Sequence, residues 1–300
     1  MSKPSDVLTQ LASAVAARAE SAKDSVAAIR IGHGRHITGL IWQPGIVVAS
    51  EQALPRRDEF ELIAPGGAVV AAKAAGRDAS TNIAVLKTAE SLAAPALTAA
   101  DAKAGAIALA AGGDGEGGAS MRLGIVNQVG GEWHSSRGGL IDRRIVLDID
   151  LAHREEGGPV FDAEGLCLGM STFGPRGRVI VIPFATIARI VPQLVKQGRV
   201  ARGWLGLALQ AVAVPDALRE SAGQSSGLMV MSVVENGPAA QAGIVAGDII
   251  LSVDGTAVHR FRKIIAHFGS DSIGRPVEIR LIRGGAVIAV QTTIGERQAA

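Results

Sequence analysis

Along residues 8–29, apolar positions are interrupted by Gln10, Arg18, Glu20, Lys23 and Asp24, the pattern of an amphipathic helix with one wet face. Beyond it the pattern changes. Short apolar runs of strand length lie at 26–31, 37–42, 46–49, 61–63, 68–72 and 83–86, separated by turn formers such as Pro44-Gly45 and Pro65-Gly66-Gly67. A second series of the same kind occupies 106–110, 123–129, 145–149, 159–161, 166–170 and 179–182. Evenly spaced strands with turn signals between them predict closed β-structure, and two series predict two barrel-like halves.

A helical stripe follows. Phe184, Ile187, Ile190, Val191, Leu194 and Val195 share one face of 184–197, which stops at Gly198. Past a short basic linker the order becomes strand 205–209, strand 227–233, short helix 239–242, strand 249–253, helix 261–268 and closing strands 277–282 and 287–292. The expected organisation is an N-terminal helix (1–24), a β-rich domain (25–198), the linker (199–202) and a small mixed α/β domain (203–297).

The 300 residues are enough for two buried cores. With 38 Gly, no Tyr and aromatics at 3%, those cores must be built from Val, Ile, Leu and Ala, and turns must be frequent, which favours strands. Lys+Arg 30 against Asp+Glu 28 leaves a net +2, too even for a protein that tracks nucleic-acid phosphates. The single Cys167, in Leu166-Cys167-Leu168, excludes an intrachain disulfide and a Cys-based zinc cluster and reads as a small buried hydrophobe. No segment approaches the roughly 18 uninterrupted apolar residues of a membrane span. The N-terminus lacks the continuous apolar run of a secretory leader, so the chain as written is expected in the cytoplasm, or in the periplasm if a leader was removed.

Two stretches carry a resemblance to a known family. Gly237-Pro238-Ala239-Ala240-Gln241-Ala242-Gly243-Ile244-Val245-Ala246-Gly247-Asp248-Ile249-Ile250, continued by Val253-Asp254-Gly255, is similar to the PDZ run of the HtrA/DegP family. The passage from Val181-Ile182-Pro183 through Lys196-Gln197-Gly198-Arg199-Val200 to Arg202-Gly203-Trp204-Leu205-Gly206 resembles that family's junction between protease and PDZ parts. The resemblance implies a mainly β fold: a trypsin-like pair of six-stranded barrels followed by a small α/β PDZ domain. It also implies a loop, Trp204-Leu205-Gly206-Leu207, that binds a peptide's terminal carboxylate while the peptide adds a strand to the sheet edge. Ile264, Ile265 and Phe268 are then candidates for the groove's side-chain pocket, with a core position the alternative for each.

Serine proteolysis needs a hydroxyl nucleophile, a His base, an acid to orient it and backbone donors for the oxyanion. Gly157-Gly158-Pro159-Val160, with Asp148 upstream, resembles the end of the family's Gly-Asn-Ser-Gly-Gly-Pro signature, which puts Glu156 at the nucleophile position. Gln52 in Ala49-Ser50-Glu51-Gln52-Ala53-Leu54 takes the place of the base, and Asn82 in Asp78-Ala79-Ser80-Thr81-Asn82-Ile83 that of the acid. Arg154 replaces the Gly that opens the oxyanion turn and Glu155 the Asn after it. The implied protein is a pseudoprotease that binds polypeptides or protein C-termini as adaptor, scaffold or regulator; the alternative is an HtrA-type serine endopeptidase of altered geometry, with Ser171, Thr172 and His153 nearby. Homo-oligomers, trimers above all, and an active HtrA-like paralogue are the further partners the family implies.

The remaining features read as ordinary structure. His153, Glu155, Glu156 and Glu51 match no metal-ligand spacing and are expected in surface ion pairs with Arg154, so no metal or other cofactor is expected. His33 and His36 read as loop residues. Gly112-Gly113-Asp114-Gly115-Glu116-Gly117-Gly118 lacks the Lys-Ser/Thr ending of a phosphate loop and reads as a hairpin turn. The Arg groups at 176/178, 199/202 and 260/262, with Lys263, read as solvated surface, with an acidic partner the alternative.

Overall fold

The computed structural model describes residues 4–32, 34–90, 92–258, 268–269 and 272–296. It divides into two compact units, Met1–Val200 and Ala201–Ala300. The first opens with helix α1 (Pro4–Ala22) and a 3-10 turn (Lys23–Ser25). The helix ends inside the expected 1–24 segment, and although the helical pattern continues to 29, Val26–Gly32 is taken up as strand β1, where Val26 pairs with Leu40 and Ile29 with Ile37. Pairing on both sides of β1 outweighs the helical periodicity of its sequence.

Strands β1, β2 (Arg35–Gln43), β3 (Ile46–Ser50), β4 (Glu59–Ile63), β5 (Val69–Asp78) and β6 (Ile83–Thr88) close into a barrel in the order β1-β2-β3-β6-β5-β4. Their alternation is visible in β4, where Glu59 and Glu61 are exposed while Phe60 and Leu62 join Ile29, Ile41 and Leu86 in the barrel core. A second barrel runs β11-β14-β13-β12-β7-β8. Its strands are β7 (Ile107–Gly113), β8 (Ala119–Gly130), β11 (Arg144–Asp148), β12 (Pro159–Phe161), β13 (Cys167–Phe173) and β14 (Val179–Pro183), with the small hairpin β9 (Trp133–His134) and β10 (Leu140–Ile141) between β8 and β11. The predicted glycine-rich hairpin turn joins β7 to β8, where Asp114 Oδ1 accepts the Glu116 and Gly118 N–H groups.

Helix α2 (Phe184–Gln197) packs the predicted stripe inward. Ile187, Ile190, Val191 and Leu194 meet Leu40, Val48 and Ile83 of the first barrel and Met170 and Ile182 of the second. Each such side chain stabilises the fold by about 1.5–3 kcal/mol. Gly198 ends the helix in the left-handed conformation, φ 72°, with its N–H on the Leu194 carbonyl at 2.9 Å. Cys167 is buried as predicted, and burial pushes its thiol up to about 12, which leaves it unreactive.

The second unit contains β15 (Gly203–Trp204), β16 (Leu207–Ala213), α3 (Arg219–Ala222), β17 (Ser226–Val233), α4 (Pro238–Gln241), β18 (Ile249–Val253), β19 (Thr256–Ala257), β20 (Pro276–Arg283), β21 (Ala286–Thr293) and β22 (Gly295–Glu296). The main sheet runs β16-β17-β18-β20-β21 over a core of Leu228, Val230, Ile250, Val253, Ile279 and Leu281. Its first strand starts at Leu207 rather than 205 because Gly206, φ +81°, breaks the extended run. The predicted helix at 261–268, Ile264 and Ile265 included, lies outside the described residues except for Phe268. The fold is mainly β: two six-stranded barrels followed by a small α/β module.

Candidate functional site

Three separate connections converge in the first unit. Gln52 follows the end of β3, Asn82 precedes β6 with φ 59°, and Glu156 follows a 3-10 turn, His153–Glu155. The structure brings all three together. Gln52 Nε2 donates to Glu156 Oε1 at 2.7 Å, and Asn82 Oδ1 accepts the Gln52 backbone N–H at 2.8 Å. Two hydroxyls complete the cluster: Ser50 Oγ and Thr172 Oγ1 donate to the same Glu156 oxygen at 2.8 and 2.7 Å. Asn82 Nδ2 in turn donates to Thr172 Oγ1 at 2.8 Å and to Ser50 Oγ at 3.0 Å. Every proton in this arrangement points at an acceptor, and the acceptor at its centre is a carboxylate, which is the form that accepts without donating. Glu156 is only 5% exposed and Ser50 and Thr172 are buried, so the donors compensate the desolvation of the carboxylate.

The turn before Glu156 is held from beneath. Glu155 is fully buried; its carboxylate accepts Ser120 Oγ at 2.8 Å, Arg122 Nε at 3.0 Å and the Ala152 N–H at 2.8 Å. Burial alone would raise the Glu155 carboxyl, but the Ala152 N–H, the Ser120 hydroxyl and Arg122 outweigh it and hold the group below its ordinary value. Above the turn, Thr38 Oγ1 donates to the Arg154 carbonyl at 2.8 Å and the Thr38 N–H to the Glu156 carbonyl at 3.1 Å. The Glu156 N–H points back to the His153 carbonyl at 3.3 Å. An N–H committed to its own turn is not aimed at a substrate oxyanion. Gly157 and Gly158 are required here: Gly157 has φ +94°, and a Cβ on Gly158 would stand 1.9 Å from the Ala111 carbonyl.

Other expected participants are dispersed. His153 is exposed, with its ring 4.9 Å from that of Phe173, and Ser171 Oγ donates to the Gly158 carbonyl at 3.2 Å. Among the described residues, no hydrogen bond joins a His ring to a Ser or Thr hydroxyl. Arg154 is exposed, and Glu155 and Glu51 face different arginines, Arg122 at 3.0 Å and Arg137 at 3.9 Å. The expected surface ion pairs with Arg154 are therefore corrected: Glu51 pairs with Arg137, and the buried Glu155 pairs with the half-exposed Arg122, because β8 passes beneath the turn. Among the described residues, no three His, Cys, Asp or Glu side chains converge as metal ligands.

In the second unit, Trp204 lies against Gly206, whose Cβ position is 3.1 Å from the indole, and against Gly237. Leu205 is buried in the core, and its carbonyl accepts the Ala239 N–H at 2.9 Å. The Gly206 carbonyl accepts the Val234 N–H at 2.8 Å. Leu207 begins β16, the terminal strand of its sheet, which pairs with β17 on one side and with no strand on the other among the described residues. Phe268 packs half-buried against the core, the alternative considered for it.

Comparison with known proteins agrees with this architecture. Residues 37–170 match the trypsin-like peptidase domain and residues 204–294 the PDZ domain. The chain is 30% identical over 283 residues to a probable periplasmic serine endoprotease, DegP-like, of Brucella suis biovar 1 (strain 1330), covering 88% of this chain and 54% of the relative. A DegP-like relative from Halomonas elongata is 28% identical over 267 residues, with 86% and 55% covered. The chain thus spans about half the length of the curated relatives it matches. Among solved structures, the HtrA-type protease AlgW with a decapeptide superposes with a TM-score of 0.72 at 23% identity, covering 95% of this chain and 99% of that one. The serine endoprotease from Yersinia pestis gives 0.71 at 24% identity, with 95% and 98% covered. By its two domains, their order and these relatives, the chain belongs to the HtrA/DegP-like family.

Proposed function

We propose that this member of the family is a pseudoprotease: it binds polypeptides, in particular protein C-termini through its PDZ domain, and does not cut them. The observation that carries the reading is the Glu156 carboxylate held by Ser50, Gln52 and Thr172 at the position expected of the nucleophile. A glutamine cannot take a proton near neutral pH, and a carboxylate beside a developing oxyanion opposes it. The closed turn, with the Glu156 N–H on the His153 carbonyl, supports the same conclusion. Peptide binding rests on the PDZ match at 204–294 and on the open edge of β16 beside the Trp204-Leu205-Gly206-Leu207 loop. We place the domain boundaries at 25–198 and 203–297, and the compartment in the periplasm, after the relatives' printed names; the cytoplasmic expectation finds no support there. Self-assembly, to a trimer by family likeness, is checked by light scattering on the full chain, and an active HtrA-like paralogue by co-purification.

The test has two arms. Incubation with casein is expected to release no peptide above a heat-killed control, while a C-terminal peptide library is expected to yield binders that lose affinity when Gly206 is substituted. The second reading, an endopeptidase of altered geometry, is favoured by the relatives' names, which are those of serine endoproteases. Turnover abolished by Ser171→Ala or His153→Ala would establish it in place of the first.

A further inference from the structure

A cleft of about 1080 Å³ opens on the outer wall of the first barrel, away from the Gln52–Asn82–Glu156 cluster. Its lining carries five cations, Arg30, Arg35, Arg57, Lys73 and Lys87, against two carboxylates, Glu59 and Glu61. Both carboxylates are already committed: Glu61 to Arg30 at 2.9 Å and Glu59 to Lys73 at 3.3 Å. Arg35, Arg57 and Lys87 make no ion pair among the described residues, so the cleft holds three positive charges in excess. Phe60, Ile63 and Ala72 also border it, but they are buried in the barrel wall, so the surface offered to a ligand is mainly the charged one.

The walls are set before anything binds. The Arg57 guanidinium lies 4.7 Å over the Phe60 ring and donates to the Arg30 carbonyl. At the other end a nitrogen of the His36 ring is 3.0 Å from the Gly113 carbonyl. Ordering these groups in advance lowers the entropy lost when a ligand arrives. The volume is slightly above the range for sites that hold whole organic ligands, about 300 to 1000 Å³, and far exceeds what a lone inorganic anion fills.

We infer that this cleft is a second polypeptide site, selective for an extended acidic segment whose carboxylates meet Arg35, Arg57 and Lys87. Nothing in the PDZ reading is needed for it, and the probe is chosen to keep the two apart. A fluorescein-labelled octapeptide of alternating Asp and Leu, amidated at its C-terminus so that it offers the PDZ loop no terminal carboxylate, is titrated into the full chain and followed by anisotropy. Binding is expected, weakening as salt is raised. Arg35→Glu with Lys87→Glu should weaken it at least about tenfold, since each exposed charge contact contributes on the order of a kcal/mol. The milder pair Arg35→Gln and Lys87→Gln gives a smaller loss should charge reversal disturb folding, which circular dichroism reports. Three results overturn the inference: no binding, equal binding of the Asn/Leu counterpart or of the charge-reversed chain, or complete displacement by inorganic phosphate at matched charge.

Discussion

The donors around Glu156 are used up, whereas the outer edge of β16 is unused. At the first location Ser50, Gln52 and Thr172 all end on one carboxylate oxygen, and the Glu156 N–H ends on its own turn. At the second, one whole side of a strand faces no partner strand among the described residues. On the pseudoprotease reading, a site whose donors end on one another keeps none for a transition state, because catalysis depends on donors reserved for charge that appears only during reaction. A strand edge with open N–H and C=O groups has the opposite property and pairs with any extended chain that fits.

The largest test of this contrast is to reopen the first site. Gln52→His, Asn82→Asp and Glu156→Ser together restore the triad residue types, yet the turn stays closed while Glu155 is fixed by Ser120, Arg122 and Ala152. Adding Arg154→Gly and Glu155→Asn frees it. The five-substitution chain is expected to cleave a fluorogenic peptide at least about 10²-fold faster than the three-substitution chain, the usual cost of a missing oxyanion donor. Equal rates would show that the turn does not limit catalysis.

Next in size is the ion pair between the buried Glu155 and the half-exposed Arg122. Arg122→Ala leaves the Glu155 carboxylate buried beside Ser120 and Ala152 alone, and should cost about 2 kcal/mol in urea unfolding. The same group gives a pH signature. The ordinary value is 4.5 and the folded value is lower, so its contribution is complete above about pH 4.5 and is lost as the pH falls through the folded value. Glu155→Gln removes that dependence, so its stability should approach that of the parent chain in acid. Asp248, buried against Arg283, adds a loss of the same sign below its ordinary 3.8.

On the open side, Gly206→Ala forces a Cβ into φ +81° and to 3.1 Å from Trp204. A cost of about 1 to 2 kcal/mol in the loop is expected, read as a drop in Tm and roughly tenfold weaker binding of C-terminal peptides. Unchanged affinity would detach the loop from peptide binding.

Much of this was legible in the sequence, and the gaps have physical causes. Twelve apolar runs with turn signals become the twelve barrel strands, because period-two burial and Gly-Pro punctuation are local properties. Gln52, Asn82 and Glu156 could be placed through their flanking motifs. Ser50, Thr38, Ser120 and Arg122 were not singled out, since their roles depend on register: Arg122 matters because β8 carries it under the turn, opposite Ala110 of β7. The one hint was Glu155 itself, an acid within a turn leading to Gly157-Gly158, which has to find a cation if it is buried. Hairpin β9/β10 escaped because two-residue strands carry no periodicity.

The smallest test asks whether the cluster acts as a unit. Thr172→Val keeps the shape and removes one hydroxyl, leaving Glu156 with Ser50 and Gln52, so about 1 kcal/mol is expected. Ser50→Ala should cost a similar amount for the same reason. The pair together strips two of the three side-chain donors and leaves Asn82 Nδ2 without either hydroxyl it now reaches, at 2.8 and 3.0 Å. The double variant should therefore exceed the sum of the singles by at least about 0.5 kcal/mol, the coupling usual for members of one hydrogen-bond network. Strict additivity would mean that Glu156 finds replacement donors, which only water entering the closed corner supplies, and the corner would then resemble the open edge more than the contrast allows.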